Sequence, residues 1–65
     1  MRVLATGASG FLGGAVVRAL QDAGHSVRTL QRRPSGVDGA EDRLGSVTDP
    51  DAVASALEGI DGIVH

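Results

Sequence analysis

The sequence predicts an α/β fold, the amino-terminal part of a doubly wound parallel sheet with strand order 3-2-1-4 and two helices. Three observations carry this reading. An all-apolar run, Val3-Leu4-Ala5, feeds into glycines at 7, 10 and 13; a helical apolar pattern begins at Phe11; and an alternating segment with β-branched residues, Ser26-Val27-Arg28-Thr29-Leu30, follows. Together they spell strand, glycine turn, helix and strand, a βαβ unit.

Each element has a local reason. Residues 2 to 5 suit a central parallel strand, which is apolar on both faces. From Phe11 to Ala23, residues Leu12, Ala15, Val16, Ala19 and Leu20 recur at helical spacing and predict the core-facing stripe, with Arg18, Gln21 and Asp22 outside it and Gly24 as the stop. Gln31 to Gly39 reads as a loop, holding Arg32, Arg33, Pro34, Gly36 and Gly39. Ala40 to Leu44 is the expected third strand. Asp49-Pro50 reads as an N-cap followed by proline at the first helical position, with Asp51 favouring the helix dipole. Val53, Ala56 and Leu57 recur at helical spacing, a period that Ile60 also matches, Gly59 is the stop, and Ile63-Val64-His65 begins a fourth strand.

Right-handed crossovers then place the two helices on opposite faces, with the topological switch point between the first and fourth strands. The fourth strand is expected to be an exposed apolar edge, which points to a further carboxy-terminal portion or a partner chain that covers it. Residues 1-65 are accordingly read as one incomplete domain.

Composition narrows the partners. Net charge is -2 with 8 acids against 6 bases, all of them Arg, which argues against nucleic acid or an anionic membrane as a partner. No cysteine occurs, so there is no disulfide framework or thiolate metal site, and no His, Asp or Glu grouping has metal-ligand spacing. Neither a leader-like apolar region after basic residues nor a run of 18 apolar residues is present, and the expectation is a soluble, cytoplasmic chain.

The glycine turn carries the chemistry. Glycine spacing alone is weak evidence, but here a strand precedes it and a helix follows, the order a dinucleotide site requires. Gly7 permits the tight turn, Gly10 lets the backbone approach a pyrophosphate, and Gly13 lets the helix pack close to the strand. The unpaired N–H groups and positive end of the helix then face the phosphates.

Thr6-Gly7-Ala8-Ser9-Gly10-Phe11-Leu12-Gly13 resembles the TGxxGxxG fingerprint of the extended and atypical short-chain dehydrogenase/reductases, the NAD(P)-dependent epimerase/dehydratase group with a Rossmann domain. The resemblance implies that Ser9, Phe11 and Leu12 lie by the pyrophosphate and nearby parts of the cofactor; simple packing at the helix start is the alternative for the Phe11 and Leu12 side chains. At the end of the second strand an acid accepts from the ribose 2′-hydroxyl of NAD, whereas Arg pairs with the 2′-phosphate of NADP. This chain has Leu30-Gln31-Arg32-Arg33, and no acid occurs between Asp22 and Asp38. Arg32 and Arg33 therefore favour NADP, with NAD as the alternative cofactor and a solvated basic loop as the competing explanation. Ser46-Val47 matches the place where the family has an Asp and an aliphatic residue beside the adenine; the Ser46 hydroxyl is a weaker acceptor than a carboxylate. His65 is a candidate cofactor neighbour, against a merely packed or solvated strand end, and His25 reads as a surface loop residue.

Family members move protons with a Tyr and a Lys four residues later, and this chain contains neither residue type. No catalytic residue is assigned. Three readings follow: the cofactor-binding part of an NADP-dependent oxidoreductase or epimerase whose catalytic Tyr/Lys portion lies outside these residues; a non-catalytic dinucleotide-sensing module; and a truncated remnant that folds poorly alone.

Overall fold

The computed structural model describes residues 1–7 and 10–65. The chain runs β1 (Arg2–Thr6), α1 (Phe11–Asp22), β2 (Ser26–Gln31), β3 (Glu41–Leu44), α2 (Pro50–Leu57) and β4 (Gly62–Val64). All strand pairs are parallel, in the order β3-β2-β1-β4. This is the predicted doubly wound arrangement, and the register aligns its carboxyl edge: Thr6 lies opposite Leu30, and Leu30 opposite Arg43.

Two small cores lie on opposite faces of the sheet, as the right-handed crossovers require. On the α1 face Ala5, Val27, Val17 and Val37 pack together, with Leu20 and Ala40 against them. On the other face Leu4, Leu30 and Ala56 meet, flanked by Ala52, Val53 and Ile60. Successive residues of β1 thus serve different layers, which is why Val3-Leu4-Ala5 reads as an unbroken apolar run, whereas β2 keeps the polar Arg28 and Thr29 between Val27 and Leu30.

The stripe predicted for α1 is corrected. Gly14 and Val17 are the buried helix residues, whereas Leu12 is 76% exposed and Ala15 and Ala19 are exposed. The helix is turned so that Val17 packs into the sheet core, Gly14 is buried beside the Arg18 guanidinium, and the Leu12–Val16 flank faces the β4 side. Periodicity identifies a helix and its period, but several equally apolar stripes were available along Phe11-Leu12-Gly13-Gly14-Ala15-Val16-Val17.

The segment after β2 also differs from a plain loop. Val37 is buried in the α1-face core, and Gln21 Nε2 donates to the Asp38 carbonyl at 3.0 Å, fastening the segment to the helix. The third strand starts at Glu41, one residue later than expected, and β2 extends one residue further, through Gln31. For α2 the predicted start is seen directly: the Asp49 carboxylate accepts from the Asp51 N–H at 3.0 Å, with Pro50 in the first turn. His25, expected at the surface, is half-buried and lies 3.3 Å from the amino terminus.

The β4 edge is exposed and apolar as expected, with Ile63 59% and Val64 37% accessible.

Candidate functional site

The carboxyl edge of the sheet gathers the ends of β1, β2 and β3 and the residue after β4. Gly7 adopts φ +69, a left-handed conformation that an L side chain disfavours, so the chain can leave β1 in a sharp turn there. A Cβ added at Gly7 or at Gly10 would meet no atom within 4 Å, which leaves open space over both backbone positions. Gly10 is the N-cap of α1 and makes no side-chain cap hydrogen bond, and the first turn of the helix carries no acid. Among the described residues, no carboxylate of the first turn neutralises the positive end of the helix. Ser9, one of the candidate contacts, lies outside the described residues.

Phe11 is 97% exposed and Leu12 76%, so neither side chain supports the core. Leu12, Gly13 and Val16 instead line a cavity of about 180 Å³ with Ala5, Thr6, Val64 and His65, at the switch point between β1 and β4. Within that wall Thr6 Oγ1 and His65 Nδ1 are 2.6 Å apart, joining adjacent strand ends. A larger cavity, about 380 Å³, opens at the amino ends of the strands, among Arg2, Ser26, Arg28 and Glu41, away from the glycine turn. Its Arg28 is already bound to Glu41 and to the Ala56 carbonyl at 2.9 Å, so it holds the fold rather than a ligand.

At the β2 end, Arg32 and Arg33 are exposed, and their guanidiniums have no ion-pair or hydrogen-bond partner among the described residues. The loop that carries them is positioned from below: Thr29, fully buried, donates to Asp42 Oδ1 at 2.6 Å. That bond, together with hydrogen bonds from Ser35, holds the Asp42 carboxyl below its ordinary range. Ser46 is half-buried, and its hydroxyl accepts from the Thr48 N–H at 3.1 Å and lies 2.7 Å from the Thr48 hydroxyl; it shapes the turn into α2, beside the exposed Val47.

One residue of this edge was missed by sequence reasoning. Gln31 ends β2, one step beyond the Thr6–Leu30 pair and therefore level with Gly7, and it is 9% exposed. Its Nε2 donates to the Arg33 carbonyl at 2.7 Å, while its Oε1 is buried with no hydrogen-bond partner among the described residues. The available signal was its place between an apolar strand and two arginines, masked by assigning Gln31 to the loop.

Among the described residues these features fit a dinucleotide: open backbone over two glycines, a helix start whose N-cap Gly10 makes no side-chain cap bond, two guanidiniums without a partner, and a buried acceptor without a donor at the β2 end. No group of three or more potential metal ligands occurs among the described residues.

The model of the NAD dependent epimerase/dehydratase family matches residues 3–65. The chain is 45% identical over 67 residues to a 3 beta-hydroxysteroid dehydrogenase/Delta 5-->4-isomerase of Mycobacterium tuberculosis, covering 98% of this chain and 18% of that protein. Among solved structures, a short-chain dehydrogenase/reductase superfamily protein from Agrobacterium tumefaciens with bound NAD superposes with a TM-score of 0.87 at 40% identity, over 100% of this chain and 20% of that one. MoeE5 in complex with UDP-glucose and NAD gives a TM-score of 0.81 at 28% identity, over 97% and 21% of the two chains. The chain therefore spans about a fifth of the length of the relatives it matches.

Proposed function

The chain belongs to the NAD dependent epimerase/dehydratase family, and from that premise we propose that it is the cofactor-binding part of a cytoplasmic oxidoreductase or epimerase, holding a nicotinamide dinucleotide with NADP preferred. The observation that carries the reading is the glycine turn: Gly7 at φ +69 and Gly10 with open space above it, at the start of an uncapped helix.

In this reading the backbone N–H groups at the start of α1 receive the pyrophosphate, with Gly7, Ser9, Gly10 and Gly13 setting its approach and Phe11 and Leu12 flanking it. Arg32 and Arg33 meet the 2′-phosphate with planar donor forks. Ser46 and Val47 border the adenine. Thr6 and His65 form the wall of the switch-point cavity, where the β1–β4 crevice holds the cofactor. The bound dinucleotide supplies hydride transfer; these residues bind and orient it, and the acid/base pair belongs to a portion of the protein outside them, since the chain has neither Tyr nor Lys.

The test is a titration of the protein with NADP and separately with NAD at low salt. Binding of NADP that weakens about tenfold in Arg32→Ala, as loss of a charge-assisted contact implies, supports the reading. Absence of binding by either dinucleotide overturns it.

A further inference from the structure

The segment that carries Arg32 and Arg33 is fastened on both sides of Pro34, and one of its anchors is an acid for which the cofactor reading has no role. We infer that Asp42 is a positioning residue: through Ser35 it fixes the backbone from which Arg32 and Arg33 reach the 2′-phosphate of NADP. This rests on the NADP reading and deepens it.

Asp42 stands on β3 directly opposite Thr29, which shares the α1 face of the sheet with Val27 two residues before it. Thr29 is fully buried, so its hydroxyl needs a partner, and it donates to Asp42 Oδ1 at 2.6 Å. A carboxylate has lone pairs to spare after one such bond. The Ser35 hydroxyl and N–H take them up. Asp42 itself is exposed and, among the described residues, makes no ion pair, so its charge is not held by either arginine.

Ser35 is in turn tied to the core. Its Oγ accepts from the Val37 N–H at 3.2 Å, and Val37 is buried against α1. On the other side of Pro34, the Arg33 carbonyl accepts from Gln31 Nε2 at 2.7 Å. The backbone from 33 to 35 is thus held before and after a proline whose ring already fixes φ. The Arg32 and Arg33 side chains remain exposed, without a partner among the described residues. A fixed backbone with free guanidiniums lowers the ordering cost of binding, because only the side chains have still to settle on the phosphate.

Anchoring and charge predict opposite signs. As a bare negative charge on the same side of the sheet, Asp42 repels a 2′-phosphate, and removing it would tighten NADP. As an anchor it holds Ser35, and removing it frees the arginine segment and weakens NADP. NAD has no 2′-phosphate and is nearly indifferent to both effects.

Calorimetric binding of NADP and of NAD to wild type, Asp42→Ala, Asp42→Asn and Ser35→Ala tests this, with Asp42→Ala repeated in an Arg32→Ala/Arg33→Ala background. Asp42→Ala should weaken NADP about fivefold and NAD less than twofold. Asp42→Asn keeps an oxygen that accepts from Ser35 and should recover most of the loss. In the background without the two arginines, Asp42→Ala should change neither affinity, the non-additivity expected of residues that act through one another. Because Asp42→Ala strands the buried Thr29 hydroxyl, Ser35→Ala is the second variant: it leaves the Thr29–Asp42 bond in place and should still weaken NADP about threefold. Unchanged or tighter NADP binding in Asp42→Ala, or in Ser35→Ala where Asp42→Ala does not fold, overturns the inference and leaves the NADP reading standing. An equal loss of NADP and NAD overturns it too. No binding of NADP to wild type overturns that reading itself.

Discussion

Thr6 Oγ1 lies 2.6 Å from His65 Nδ1, bridging the last residue of β1 and the residue that follows β4. At the opposite end of the same strand pair, the Asp61 carboxylate accepts from the Arg2 N–H at 2.8 Å, and the Asp61 N–H donates to the Arg2 carbonyl at 2.8 Å. The short β4 is therefore pinned to β1 at both ends, and the walls of the switch-point crevice are set by hydrogen bonds rather than by apolar packing alone. Thr6→Val, which keeps the shape and removes the hydroxyl, should cost about 1 kcal/mol in denaturant unfolding and speed amide hydrogen exchange at Val64 and His65.

The orientation of α1 has an energetic signature. Val17 is fully buried and Leu12 is 76% exposed, so Val17→Ala should destabilise by about 2 kcal/mol, whereas Leu12→Ala should stay within about 0.5 kcal/mol although it removes more atoms. Equilibrium urea unfolding of both variants checks the order; the reverse order would mean that the Leu12 stripe faces the core.

The Asp49 cap is the best-formed helix start in the chain. Asp49→Ala removes the acceptor for the Asp51 N–H and should cost about 1 kcal/mol, and Asp49→Asn should recover most of it because an amide oxygen also caps. Thermal unfolding of the two variants side by side separates the cap from an effect of charge.

Acid should loosen the β3 edge. The Arg28 hydrogen bond holds the Glu41 carboxyl below its ordinary range, and the Thr29 hydroxyl does the same for Asp42. A carboxyl whose folded pKa is depressed adds stability above its unfolded pKa, and that stability is lost as pH falls through the folded value. Stability should therefore decline from about pH 4 downward, and Asp42→Asn should flatten that limb of the curve. Chemical unfolding measured between pH 3 and pH 7 gives the comparison.

Much of this architecture was legible because it rests on local rules. Val3-Leu4-Ala5 before three glycines, Asp49-Pro50 before an apolar period, and positive-φ glycines at Gly24 and Gly59 where helices stop are each dictated by sterics within a few residues. The strand order followed from crossover handedness. What escaped depended on the third dimension. Val37 sits between turn residues yet fills the α1-face core, because Gln21 and Asp38 draw the segment onto the helix. The buried stripe of α1 depends on how the helix is turned against the sheet, with Val17 inward and Leu12 outward, which no period encodes. Gln31 looked like the first loop residue, and only the extension of β2 beside β3 buries it and leaves its Oε1 without a donor among the described residues. At the site, the positive φ of Gly7 and the helix start after Gly10 followed from the glycine spacing, whereas the burial of Gln31 beside two exposed arginines did not.

The most direct measurement is the thermal shift of wild type and Gly10→Val on titration with NADP and NAD. A Cβ added at Gly10 meets no atom within 4 Å, so the unliganded variant should still fold while its side chain fills the space through which the backbone reaches the pyrophosphate. A ligand at a hundred times its Kd stabilises by about 2.7 kcal/mol. The account predicts that such a shift develops in wild type and is lost in Gly10→Val. Equal shifts in the two proteins, or none in wild type, would contradict it.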